Sequence, residues 1–142
     1  MKHQVLILCT ANSARSQMAE GLLRELAGER MDVWSAGAKP AAVNPLAIAV
    51  MRERGLDISQ HVSKHLNQFL HQPFDYVLTV CDNAAESCPL FPGPAQRIHW
   101  SFPDPAAVDG DETRRLAAFR TVRDAIEQQL QTWLSGAEMR TA

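Results

Sequence analysis

Long apolar runs are missing from this sequence. The longest near its start, Val5 to Cys9, is too short to cross a bilayer or to form the apolar centre of a signal peptide, so a cytoplasmic protein is expected. Charge of one sign is missing too. Fourteen lysines and arginines against sixteen aspartates and glutamates leave a formal −2, which provides no basic face for nucleic acid or an anionic membrane. Any anion must be captured by a local constellation. Cysteine is scarce and odd in number: three thiols in a reducing compartment are poor staples, and one has no partner within the chain. Redox or nucleophilic chemistry is the better use for them. Repeats and low-complexity tracts are absent, and a chain of 142 residues, 46% hydrophobic and 21% charged, has the size and make-up of one globular domain spanning 1–142. A monomer is expected.

What is present alternates between two periodicities. His3 to Leu8 is a short apolar run ending at Cys9, after which Ala19, Leu22, Leu23 and Leu26 recur at helical spacing. Val33 to Ser35 closes on Ala36 and Gly37, and Asn44-Pro45 reads as an N-cap and first helical residue of a helix ending near Gly55. Phe74 to Val80 and Gln96 to Trp100 read as two further strands. From Glu112 to Leu134, the residues Leu116, Phe119, Val122, Ile126, Leu130, Trp133 and Leu134 step by three and four along one helix face. Strands alternating with helices predict an α/β three-layer sandwich around a four-stranded parallel sheet, with ligands at the carboxyl ends of its strands. Cys9, Cys81 and the segment after Trp100 fall at such ends. Ser59 to Pro73 is only weakly patterned.

Cys9-Thr10-Ala11-Asn12-Ser13-Ala14-Arg15-Ser16 joins a buried strand to an amphipathic helix through small residues, so backbone N–H groups are able to converge on one point. The helix N-terminus beneath adds a dipole favourable to negative charge. Arg15 brings a planar fork of donors that matches two oxygens of a tetrahedral anion. The same field favours a thiolate at Cys9, to which Ser16 is placed to donate a hydrogen bond. A buried strand-end cysteine followed by a solvated arginine is the plainer reading, and the strand–loop–helix context argues against it.

The segment CTANSARSQMAEG, Cys9 to Gly21, resembles the signature loop of the low-molecular-weight protein tyrosine phosphatase superfamily, and especially of its thioredoxin-coupled arsenate reductase branch. Ala11 stands where a glycine is common. The resemblance implies a general acid in an Asp-Pro step, matched by Asp104-Pro105. It implies that Asn12 and Ser35, with Ser16, support the loop. It also implies a relay in which Cys9 attacks arsenate, Cys81 attacks the Cys9 sulfur and releases arsenite, and Cys88 attacks Cys81, ending in a Cys81–Cys88 disulfide that thioredoxin reduces. Reduction by two electrons suits three thiols. Tyrosine phosphatases of this class carry aromatic residues after the Asp-Pro step, where this chain has Ala106 and Ala107. Two other classes remain: a phosphomonoester or phosphotyrosine phosphatase using Cys9, Arg15 and Asp104, and an oxyanion-binding or redox-sensing protein without turnover.

No bound cofactor and no metal at Cys81 and Cys88 are expected, because no second close Cys or His pair completes four ligands. Some reductases of the matching branch hold potassium beside the loop through residues matching Asn12, Glu20 and Ser35 and an acidic residue further on. Lys64 stands at the acidic position, and its ammonium would compete for the same oxygens. The dispersed histidines are given no role. Arg114, Arg115, Arg120 and Arg123 are assigned to the outer face of the last helix.

Overall fold

The computed structural model describes residues 2–82 and 89–136. Four strands, β1 (His3–Cys9), β2 (Met31–Gly37), β3 (Tyr76–Thr79) and β4 (Gln96–His99), form one sheet in the order β2-β1-β3-β4, every pairing parallel. β1 is central. Its side chains alternate, as a pleated strand requires, between two cores: Val5, Ile7 and Cys9 on one face, Leu6 and Leu8 on the other. The first face packs against α1 (Arg15–Ala27), α2 (Pro45–Glu53) and α3 (Glu112–Leu134). The second is covered by the 3-10 turn Leu66–Phe69 and by Phe74 and Phe91, whose rings meet edge to face.

The helix starts follow from their caps. Asn44 accepts the N–H of Leu46 at 2.8 Å with Pro45 at the first helical position, and Asp111 accepts the N–H of Arg114 at 2.9 Å. α3 buries the stripe its spacing predicts, down to Trp133, which stacks edge-on against Tyr76 and Trp100. Two details differ from expectation. β2 runs two residues further at each end than Val33–Ser35, because pairing with all of β1 carries Met31, Asp32, Ala36 and Gly37 into the ladder. Arg123 is not on the outer face: it is buried and donates to the Val50 carbonyl at 2.8 Å and to Glu53 at 2.9 Å, locking α3 onto the end of α2.

Hydrogen bonds from Arg120, then Arg123, hold the Glu53 carboxyl down at about 2 from its ordinary 4.5. A carboxyl lowered by folding stabilises the native state above its unfolded pKa and loses that contribution as pH falls through the folded value. Glu53→Gln should therefore melt below the wild type at neutral pH. The gap should close as pH drops from about 4.5 toward 2, which calorimetry across that range checks. A gap independent of pH would assign the effect to packing.

Candidate active site

β1 ends at Cys9, beside Gly37 at the end of β2, and the chain turns through residues 10–14 into α1. The turn requires Asn12 in the left-handed region (φ 50°), the single non-glycine residue with positive φ among the described residues. It also requires Gly37. A Cβ there would lie 2.6 Å from the Thr10 carbonyl oxygen, 2.8 Å from the Asn12 nitrogen and 2.9 Å from the Cys9 carbonyl oxygen, all backbone atoms unable to yield separately. Gly37→Ala should cost about 1–3 kcal/mol through overpacking and weaken inorganic phosphate binding, measured by thermal melts and calorimetric titration.

The loop carbonyls are all occupied from outside. Lys39 N–H donates to Thr10, Ala41 N–H to Ala11, Asn44 N–H to Ser13 and Met18 N–H to Ala14, while the Gln17 amide donates to the Asn12 carbonyl. A planar trans peptide places the following N–H opposite each carbonyl, so the N–H groups of Ala11 through Arg15 turn to the inner side. Ala14, the residue before α1, offers no side-chain cap, leaving the helix start without a competing internal acceptor. Beside the turn lies a cavity of about 140 Å³ lined by Cys9, Ala11, Ser13, Ala14, Arg15, Ala41, Asp104 and Ala106. That is room for a five-atom oxyanion, with Ala41 and Ala106 rather than aromatic side chains among its lining residues.

Arg15 is buried. Its Nη1 donates to the Phe102 carbonyl at 3.1 Å, and its Nη2 lies 4.0 Å from Asp104 Oδ2. Asp104 Oδ1 accepts the Ala106 N–H at 2.9 Å, which fixes the carboxyl and leaves the other oxygen toward the arginine. The Asp-Pro step thus opens a 3-10 turn, Pro105–Ala107, at the rim of the cavity.

Beneath the loop the hydrogen bonds have a definite direction. Asn12 Nδ2 donates to Ser16 Oγ at 2.8 Å and to Ser35 Oγ at 2.9 Å. Ser35 then donates to Glu20 Oε1 at 2.5 Å. Having accepted from Asn12, the Ser16 hydroxyl has its own hydrogen to give to Cys9 Sγ, 2.9 Å away. The Asn12 Oδ1 accepts Gln17 Nε2 at 3.0 Å and the Lys64 N–H at 2.9 Å. His61, given no role from sequence, bonds Gln17 Oε1 at 3.0 Å, and burial pushes its pKa below the ordinary histidine value.

The structure brings together Cys9, Thr10, Ala11, Asn12, Ser13, Ala14, Arg15, Ser16, Ser35 and Asp104. Cys81 is fully buried just beyond β3, in the same core face as Cys9, and Val80 N–H bonds the Leu8 carbonyl at 3.0 Å where the two strands end side by side. Cys88 lies outside the described residues. Sequence reasoning missed Gln17, Ala41, His61 and the Phe102 carbonyl; Ser63, bonded to the Ala11 carbonyl at 2.9 Å, belongs with them. Among the described residues no group of three or more His, Cys, Asp or Glu is placed to hold a metal ion, and no helix is long and apolar enough to cross a membrane.

Residues 4–141 match the low molecular weight phosphotyrosine protein phosphatase family. The chain belongs to that family. A protein of Halalkalibacterium halodurans named arsenate reductase is 44% identical over 132 residues, 93% of this chain and 95% of its own length. A solved arsenate reductase in the phosphate binding state is similar with a TM-score of 0.77 at 32% identity, over 95% of this chain and 98% of that one. A thioredoxin-dependent arsenate reductase from Corynebacterium glutamicum is 29% identical with a TM-score of 0.62, over 92% of this chain and 63% of its own. The family and the α/β fold with its parallel four-stranded sheet agree with what the loop and the strand pattern predict.

Proposed function

We propose that this protein is an arsenate reductase that works by a three-cysteine relay and is recycled by thioredoxin. The observation that carries the reading is the small cavity lined by Cys9, Arg15 and Asp104, in a chain similar to arsenate reductases over most of its length. The Cys9 thiolate attacks arsenic, and an oxygen leaves as water with a proton from Asp104. The inward N–H groups and Arg15 hold the remaining oxygens. Cys81 then attacks Cys9 Sγ. A sulfur–sulfur bond forms, the sulfur–arsenic bond breaks, and its electron pair stays on arsenic, which departs as arsenite. Cys88 attacks Cys81, frees the Cys9 thiolate and leaves a Cys81–Cys88 disulfide for thioredoxin. Being the product of cytoplasmic thiol chemistry, that disulfide needs no bound cofactor.

Cys9, Arg15 and Asp104 would also serve phosphate ester hydrolysis. Ala41 and Ala106 at the rim supply little surface for an aryl group, so this activity is the lesser one. Arsenate-dependent NADPH oxidation, followed with thioredoxin and thioredoxin reductase, tests the assignment. Turnover is expected, and Asp104→Asn should lower it about a hundredfold. Absence of turnover alongside Cys9-dependent hydrolysis of an aryl phosphate would reverse the order of the two readings.

A further inference from the structure

The oxygens that a potassium ion would need beneath the loop are already committed. Asn12 Oδ1 accepts two hydrogen bonds, from Gln17 and from the Lys64 N–H, filling both lone pairs. Ser35 Oγ accepts from Asn12 and donates to Glu20. Glu20 is buried, and its Oε1 also faces the Lys64 ammonium at 3.9 Å; its Oε2 pairs with Arg24 at 3.0 Å and lies 3.6 Å from His61. A hard cation needs several oxygen ligands with lone pairs to give, and this cluster instead supplies one carboxylate already ringed by donors. The residues do not fit potassium.

We infer that Lys64 is a positioning residue, a tethered ammonium that substitutes for a mobile monovalent cation and fixes the Cys9 loop through Glu20. Lys64 holds the loop in three ways. Its N–H donates to the Asn12 side chain, its carbonyl accepts the Gly37 N–H at 2.9 Å, and its ammonium balances the oxygen that orients Ser35. The ammonium is itself aimed by a 2.8 Å bond to the Val62 carbonyl. Arg24 cannot take this part. It reaches Glu20 from the half-exposed rim, pairs with the other oxygen, and spends a second nitrogen on the Val33 carbonyl at 2.8 Å. From Glu20 the path to the nucleophile is short: Ser35, Asn12, Ser16, Cys9, each joined by the directed bonds given above. Burial pulls the Lys64 ammonium below the ordinary lysine range while Glu20 opposes it, as expected of a half-buried cation beside a carboxylate.

The inference rests on Cys9 being the reactive thiol, and its test uses no arsenate, so failure of the reductase reading would not be mistaken for failure of this one. Iodoacetamide alkylation of Cys9, in a Cys81→Ser/Cys88→Ser background, and the melting temperature are compared in potassium chloride and in tetramethylammonium chloride at equal ionic strength. With Lys64 present both quantities should be the same in the two salts. With Lys64→Ser, alkylation should fall about tenfold in tetramethylammonium and be largely restored by potassium, which the loss of the ammonium admits between the two oxygens it had occupied, Glu20 Oε1 and the Val62 carbonyl. Lys64→Arg, which keeps the charge, should stay insensitive to the salt. A potassium effect on the Lys64 protein would show that a mobile cation binds after all. A Lys64→Ser variant unchanged in both salts, or impaired equally in both, would overturn the tethered-cation role.

Discussion

Serine in place of Cys9 abolishes arsenite formation, with a loss of at least about a thousandfold. A hydroxyl at that position keeps contact with Ser16, whose Oγ lies 2.9 Å from the sulfur in the native protein, so the fold and the cavity survive. Two chemical steps do not. A serine hydroxyl stays protonated at neutral pH and is a far weaker nucleophile than a cysteine sulfur, so attack on arsenic fails. In the proposed relay even an oxygen adduct could not be resolved, because Cys81 would have no sulfur to attack. Quantifying arsenite together with inorganic phosphate binding separates these effects: arsenite should vanish while phosphate still binds. Retained arsenite production would move the nucleophile elsewhere.

Arg15→Lys is expected to lower kcat/KM for arsenate by about a hundredfold to a thousandfold. Lysine keeps the charge but not the fork. In the native site one guanidinium nitrogen ties down the Phe102 carbonyl at 3.1 Å, and another stands 4.0 Å from Asp104. A compact ammonium cannot hold the 102–104 segment and two anion oxygens together, so both the anion and the proton donor lose their register. Steady-state kinetics should show kcat falling along with affinity. A change confined to KM would mean that Arg15 binds the anion without acting on the transition state.

Much of this site was legible in the residues because it is local. Cys9 to Ser16 forms one loop, and its chemistry follows from the order of small residues, an arginine and a helix start. Asp104 was legible through the family resemblance, which implies a general acid in an Asp-Pro step. The long-range parts were not. Gln17 reads as one more polar residue of an amphipathic helix, yet it bonds the Asn12 backbone, the Asn12 side chain and the Val62 carbonyl. His61 and Ser63 sit in a stretch without periodicity, and they gain meaning only because Gly37 N–H bonds the Lys64 carbonyl and draws that stretch under the loop. Arg123 looked solvated from its neighbours Arg114, Arg115 and Arg120. Its burial depends on where α2 ends, at Glu53, a tertiary fact that helical spacing does not encode. The strand pattern set the sheet correctly, but the length of β2 came from its partner, since pairing can recruit flanking residues that carry no strand signal of their own.

Cysteine mapping after a single turnover tests the relay most directly. Fully reduced protein is given excess arsenate without any reductant, quenched in acid, alkylated and digested, and its disulfide-linked peptides and released arsenite are counted. The account predicts a peptide pair joining Cys81 to Cys88, Cys9 recovered as a free alkylated thiol, and arsenite equal to the disulfide formed. Three alkylated cysteines with no arsenite released would contradict it.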